Sequence, residues 1–308
     1  MSYTAKDIKT LEGLEAIQAR PHMYIGTTDS NGMHHLLLEI ISNSIDEALN
    51  GHGKEVTIKI DPKTNTATVI DNGRGIPFGA MENGKEAMIE LFTNLHSGGK
   101  FGQGGYSVSG GLHGIGGSAV NALSNMFHVV STRDRKVATL QCSKGKVLDF
   151  NVKELKDGVR GSSVSFTPTP SVFDNNKWDE KRITDTVRQL SYLTTGVKFN
   201  IFFGDNKYEY LSTKGMQDLI EEKVKDLKTL TDVIYLNTEA NKMMVEIALQ
   251  FVDQPGERIF AFTNNIPNGD GGTHITGFKT ALTNYINNKA REFGLIQPTD
   301  DNLSGDGI

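Results

Sequence analysis

Between His34 and Asn50 the chain carries Glu39, Asn43 and Glu47 four residues apart, with Asp46 beside the last of them. The apolar residues of the same stretch, Leu37, Ile41, Ile45 and Ala48, recur at helical spacing, so the polar set lies along one stripe of a helix. A solvated face is the ordinary meaning of such a stripe. Two features count against it here. Asn43 is a poor helix-interior residue, and the stretch holds no lysine or arginine to pair with its acids. A carboxylate that takes a proton from water, one turn from an amide oxygen that can bind Mg2+, is a workable hydrolytic pair.

A further acid closes the strand-like part of the segment TATVIDNGRGIP at 66–77. Thr66, Thr68 and Ile70 alternate with Ala67 and Val69 as in a half-buried strand, which ends in Asp71 and the turn Asn72-Gly73-Arg74-Gly75. A carboxylate there can accept a hydrogen bond from an exocyclic amine such as that of adenine, and Arg74 can pair with an acid on the neighbouring helix. The third segment, Gly98 to Gly117, spends ten of its twenty residues on glycine and then turns helix-friendly over Ser118–Ser124. Bare backbone feeding a helix start presents N–H groups to an anion, most often a phosphate. It is not a Walker A loop, because Phe101 follows Gly99-Lys100 and Asn94 stands where the first glycine belongs. It is not a Rossmann loop either, because a long polar loop, not a buried strand, precedes the run from Gly111 to Gly116.

Together the three segments resemble the ATP-binding fold shared by gyrases, Hsp90 chaperones, MutL repair proteins and sensor histidine kinases. The likeness narrows in LEGLEAIQARPHMYIG (11–26), LHSGGKFGQGGYSVSGGLHGIGGSAVNALS (95–124) and FTNNIPNGDGGTHITGF (262–278). These are similar to the ATPase part of a bacterial-type type II topoisomerase, in gyrase B or its topoisomerase IV counterpart. The resemblance runs from Tyr3 to about Asp306. It implies an α+β fold: a two-layer α/β sandwich that binds ATP, followed by a partial α/β transducer domain. It also implies ATP and Mg2+ as cofactors, and an ATP-hydrolysing clamp that closes into a homodimer on ATP and gates DNA strand passage. The implied partners are DNA and the DNA-cleaving A-type subunit, with aminocoumarin-type inhibitors as possible ligands. The alternative is a truncated ATP-binding regulator or decoy of gyrase with little turnover. The family's second catalytic group, a transducer lysine, is expected beyond Ile308.

The resemblance assigns roles where residues match. Glu39 corresponds to the general base, Asn43 to the Mg2+ ligand, and Asp71 to the adenine-reading acid, helped by a water and with Gly75 beside it. Arg74 and Glu47 correspond to an ion pair at the pocket wall. Lys100, Gly111, Leu112, His113, Gly114, Ile115 and Gly116 correspond to the phosphate-binding lid. Tyr3 and Ile8 fall in an N-terminal arm that crosses to the partner subunit, and Arg133 falls at the pocket mouth that aminocoumarins touch. Three residues depart from the pattern. Ser162 stands for the usual threonine, its hydroxyl still able to serve the adenine-site water; His22 replaces a glycine, and Ser107 replaces a lid lysine.

The elements that must position these residues follow from the pattern. Residues 1–10 read as the arm, 11–215 as the nucleotide domain and 216–308 as the apparently incomplete transducer domain. Strands are expected near 55–60, 66–71, 127–132, 137–142, 162–167, 198–203, 244–252 and 258–264. Helices are expected near 34–49, 86–94, 115–124, 179–194 and 216–225, with 168–177 a surface connection. A last helix is expected from Thr273, capped by that residue and burying Ile275, Phe278, Leu282 and Ile286; from Gln297 the chain reads as loosely ordered. A net charge of −5 argues against a surface whose main task is gripping DNA. The single cysteine, Cys142, excludes an internal disulfide and suits the cytoplasm. No apolar run approaches the ~20 residues of a membrane span. His34-His35 read as packing or lid residues, not metal ligands.

Overall fold

The computed structural model describes residues 11, 13–95, 97, 114–174, 176–269 and 271–305. The chain opens with α1 (Leu14–Ala19), α2 (His22–Ile25) and the long α3 (Ser30–Leu49). The hairpin β1 (Glu55–Asp61) and β2 (Thr66–Asp71) follows, then α4 (Ala87–Thr93) and α5 (Gly116–Ala122). A meander of β3 (Ser124–Arg133), β4 (Lys136–Ser143), β5 (Lys146–Glu154) and β6 (Gly161–Pro168) leads to α6 (Glu180–Leu193). After β7 (Lys198–Phe203) and β8 (Asn206–Leu211) come α7 (Met216–Val224) and the hairpin β9 (Ile234–Ala240) and β10 (Met243–Leu249). The last elements are β11 (Phe262–Thr263), β12 (Ile266–Pro267) and α8 (Thr273–Glu292).

The first eight strands form one sheet in the order β5-β4-β3-β6-β2-β1-β7-β8, parallel only between β1 and β7. Period-two alternation decides its faces. Val56, Ile58 and Ile60 are buried while Glu55, Lys59 and Asp61 are exposed. On the inner face α3 covers β1 and β2, α5 covers β3, β4 and β6, and α6 covers β7 and β8. The result is the mixed two-layer α/β arrangement expected from the sequence. Leu36, Leu37, Ile40 and Ile41 of α3 are each at most 2% exposed, and full burial of such a side chain contributes roughly 1.5–3 kcal/mol. The outer face stays polar, with hydroxyl pairs Thr66–Thr167 at 2.8 Å and Thr68–Ser165 at 2.9 Å.

Several local expectations are corrected. Helix α3 starts at Ser30, not His34, because the Asp29 carboxylate accepts from the N–H groups of Asn31 (2.7 Å) and Gly32 (3.4 Å). The connection 168–177 is anchored at Phe173, and Trp178 follows it into the core. The expected strand at 258–264 shrinks to β11, which turns at Asn264-Asn265 onto β12. Thr273 makes no capping hydrogen bond in α8. The stripe of Ile275, Phe278, Leu282 and Ile286 is only half-buried, and the buried positions are Asn287 and Ala290. The segment after Gln297 is strapped to α8: Asn287 donates to the Leu303 carbonyl (3.0 Å) and accepts from its N–H (2.8 Å). Among the described residues no helix is long and apolar enough to cross a membrane. Tyr3, Ile8, Lys100, Gly111, Leu112 and His113 lie outside the described residues.

Candidate functional site

Strand register builds the centre of the site. Asp71 is the last residue of β2, opposite Val56 of β1 on one side and Ser162 of β6 on the other. Its side chain therefore points to the inner face, under α3. There the Ser162 hydroxyl and the Ser44 hydroxyl (3.3 Å) both donate to Oδ2, and the Gly73 N–H donates to Oδ1 (2.9 Å). Burial pushes the Asp71 carboxyl above the usual range; the three donors oppose that shift and the nearby Glu47 adds to it. A carboxylate offers about four acceptor positions. These donors take three of them and leave Oδ1 able to accept one more.

The turn after Asp71 is held by neighbouring elements. Asn72 accepts from the N–H groups of Lys54 (3.0 Å) and Glu55 (3.1 Å), which ties the turn to the start of β1. Arg74 grips Glu47 with two prongs, Nη2 to Oε1 at 2.8 Å and Nε to Oε2 at 3.1 Å, and its own N–H donates to the same carboxylate. Gly75 has φ +81°, and a Cβ there would stand 2.6 Å from the Thr132 carbonyl, so only glycine fits. Arg133 donates from Nη1 to the Gly75 carbonyl at 3.5 Å and pairs through Nε with Asp134 at 3.2 Å.

Two turns up α3 from Glu47, Glu39 lies against the start of α5. A Cβ on Gly116 would fall 2.0 Å from Glu39 Oε2, so the glycine makes room for the carboxylate. Glu39 Oε1 is 3.2 Å from His35 Nε2, one turn earlier on the same helix. Gly114 has φ +61°, and Ile115 precedes the first helical residue of α5. Asn43 lies between Glu39 and Glu47 on α3 and is exposed. Among the described residues no group of three or more His, Cys, Asp or Glu is arranged to hold a metal.

Thus Glu39, Asn43, Glu47, Asp71, Arg74, Gly75, Arg133, Ser162, Ile115 and Gly116 are drawn to one side of α3 and the adjoining sheet end. Sequence reasoning missed Ser44 and His35. A serine inside an apolar helical run, at the seam between the buried and polar stripes, was the available signal for Ser44. His35 was legible only as half of a pair of packing or lid residues. In fact His34 does the packing: it is buried edge-on against Trp178, bonds through Nδ1 to the Ser30 carbonyl (2.6 Å) and accepts from the Asp179 N–H (2.9 Å).

A family model described as histidine kinase-, DNA gyrase B-, and HSP90-like ATPase matches residues 28–168, and one described as DNA gyrase B matches residues 215–308. Among similar proteins, the B-type subunit of DNA topoisomerase 4 from Mycoplasma capricolum is 40% identical over 298 residues, covering 96% of this chain and 46% of that protein. The B-type subunit of DNA gyrase from Enterococcus faecalis is 40% identical over 314 residues, covering 99% of this chain and 49% of the other. The chain spans about half the length of these curated relatives. A crystal structure of the 43K ATPase domain of Thermus thermophilus gyrase B, in complex with an aminocoumarin, superposes with a TM-score of 0.82 at 32% identity, covering 96% of this chain and 78% of that one.

Proposed function

The chain belongs to the family of gyrase B and topoisomerase IV B ATPase regions, and from that premise we propose that it binds ATP along α3 and the end of β2, hydrolyses it, and acts as the nucleotide clamp of a type II DNA topoisomerase. One observation carries this reading: a single stripe of α3 meets the start of α5 at Glu39 and the turn after β2 at Glu47, with Ser44 on Asp71 between them. A helix advances about 12 Å over those eight residues, enough for one face to serve both the base and the phosphates of an extended nucleotide.

In this reading the open acceptor position on Asp71 takes the adenine amine, with Ser162 and a water beside it. Glu39 takes the proton of the attacking water, and His35 holds its carboxylate in place. Asn43 would hold Mg2+, which offsets the charge of the phosphates when bound. The donor set suits a hard cation, since Asn43 offers an oxygen and phosphates supply the rest. Gly114, Ile115 and Gly116, with Lys100, Gly111, Leu112 and His113, form the phosphate lid. The Glu47–Arg74 pair stiffens the wall, and Arg133 at the mouth would meet an aminocoumarin. Residues 11–215 then form the nucleotide domain and 216–308 part of a transducer domain. The arm at 1–10, including Tyr3, crosses to a second copy, and DNA and an A-type subunit complete the assembly.

Calorimetry with ATP and GTP tests the reading. GTP turns a carbonyl toward Asp71 where ATP turns an amine, so ATP is expected to bind at least about tenfold tighter. Equal affinities would remove Asp71 from its role.

A further inference from the structure

On the opposite side of α3 from Asn43 a second cleft runs between α3 and α6, with a volume of about 280 Å³. Its floor is apolar: Leu37, Ile41, Ile183 and Val187 are all at most 3% exposed. Its rim carries Arg182 and His35. One nitrogen of the Arg182 guanidinium donates to the Asn31 side chain, and among the described residues no carboxylate forms an ion pair with it. An apolar floor with a few convergent polar groups at the edge is how small-ligand sites are built. The charge at this rim selects the ligand. We propose that the cleft binds a small carboxylate with an apolar body, the body against the aliphatic floor and the charge on Arg182.

His35 also lines this cleft while its Nε2 lies 3.2 Å from Glu39. A ligand that draws the imidazole toward the cleft loosens its hold on Glu39. Occupancy then lowers ATP turnover, a consequence that rests on Glu39 being the base. The binding claim itself does not depend on the nucleotide reading.

The probe is 1-naphthoate, titrated into the full chain without nucleotide and followed by calorimetry and ligand-observed NMR, with naphthalene-1-methanol as the neutral counterpart. Binding on the order of millimolar is expected for so small a ligand. The alcohol is expected to bind about tenfold more weakly, and Arg182→Gln to remove the difference. Thr186→Trp, which fills the cleft, abolishes binding, while the far-ultraviolet spectrum and the melting temperature report that both variants fold. A non-hydrolysable ATP analogue at saturation leaves naphthoate binding in place. Equal binding of acid and alcohol overturns the anion assignment. Displacement by the analogue, or full binding to Thr186→Trp, overturns the cleft itself. If naphthoate binds as described but leaves phosphate release unchanged, the link through His35 is wrong while the site stands. If the chain releases no phosphate from ATP at all, the nucleotide reading fails and the binding result still decides the cleft.

Discussion

Asp71 carries the conflict between stability and recognition at the level of single residues. Its carboxyl is raised above its unfolded value by burial, so its contribution to stability is fully present below about pH 4. That contribution is lost as pH rises through the folded value, above which the buried charge is a cost. Asp71→Asn removes that charge, and both serines can accept from the new amide as readily as they donated to the acid. The expected outcome at pH 7.5 is a melting temperature higher by about 2–4 °C without nucleotide, equivalent to roughly 1 kcal/mol, with ATP binding weakened. The gain fades as the melts are repeated toward pH 4. A lower melting temperature at neutral pH would mean that the carboxylate is net stabilising. The residue types at this site were legible because chemistry fixes them: an acid at a strand end, an acid and an amide one helical turn apart. Ser44 and His35 were not, because their roles depend on the angle at which α3 crosses β2 and approaches α5. No local pattern encodes that angle.

Elements were legible where burial alternates and obscure where it does not. Strand β1 alternates and was read to within a residue; β5 is exposed at nearly every position and left no period to detect. The hairpin β9–β10 was half read because β9 too is exposed at every position and because its turn is disguised. Its turn is Asn241-Lys242, both with positive φ, 52° and 65°. Two-residue hairpin turns of this kind favour Asn-Gly, and lysine in the glycine position hid the signal. The same substitution by non-glycine residues occurs at Asp134-Arg135 between β3 and β4. Lys242→Gly is therefore expected to stabilise the hairpin, by about 0.5–1 kcal/mol. Slower amide exchange across β9 and β10 would register it. Unchanged or faster exchange would mean that the lysine is not strained in that conformation.

For the whole molecule, charge is uneven: residues 1–216 hold 24 basic and 23 acidic residues, and residues 217–308 hold 8 and 14. The acidic balance of the second part is poorly suited to gripping DNA. Closure of two copies on nucleotide is the proposed motion of the assembled molecule. With a non-hydrolysable ATP analogue the chain is expected to pass from monomer to two-fold dimer in light scattering, because in the proposed clamp each copy's arm completes the other's pocket and nucleotide then favours the dimer by mass action. Removal of residues 1–10 should weaken that shift. Dimerisation unaffected by the truncation would make the arm a loose end. In the proposed reaction Glu39 on α3 activates the water that cleaves ATP. This role is tested by measuring ATP binding and phosphate release side by side for the native chain and Glu39→Ala. The predicted result is ATP affinity within a few-fold of native with phosphate release reduced about 10²–10⁴-fold; native phosphate release by the variant would contradict it.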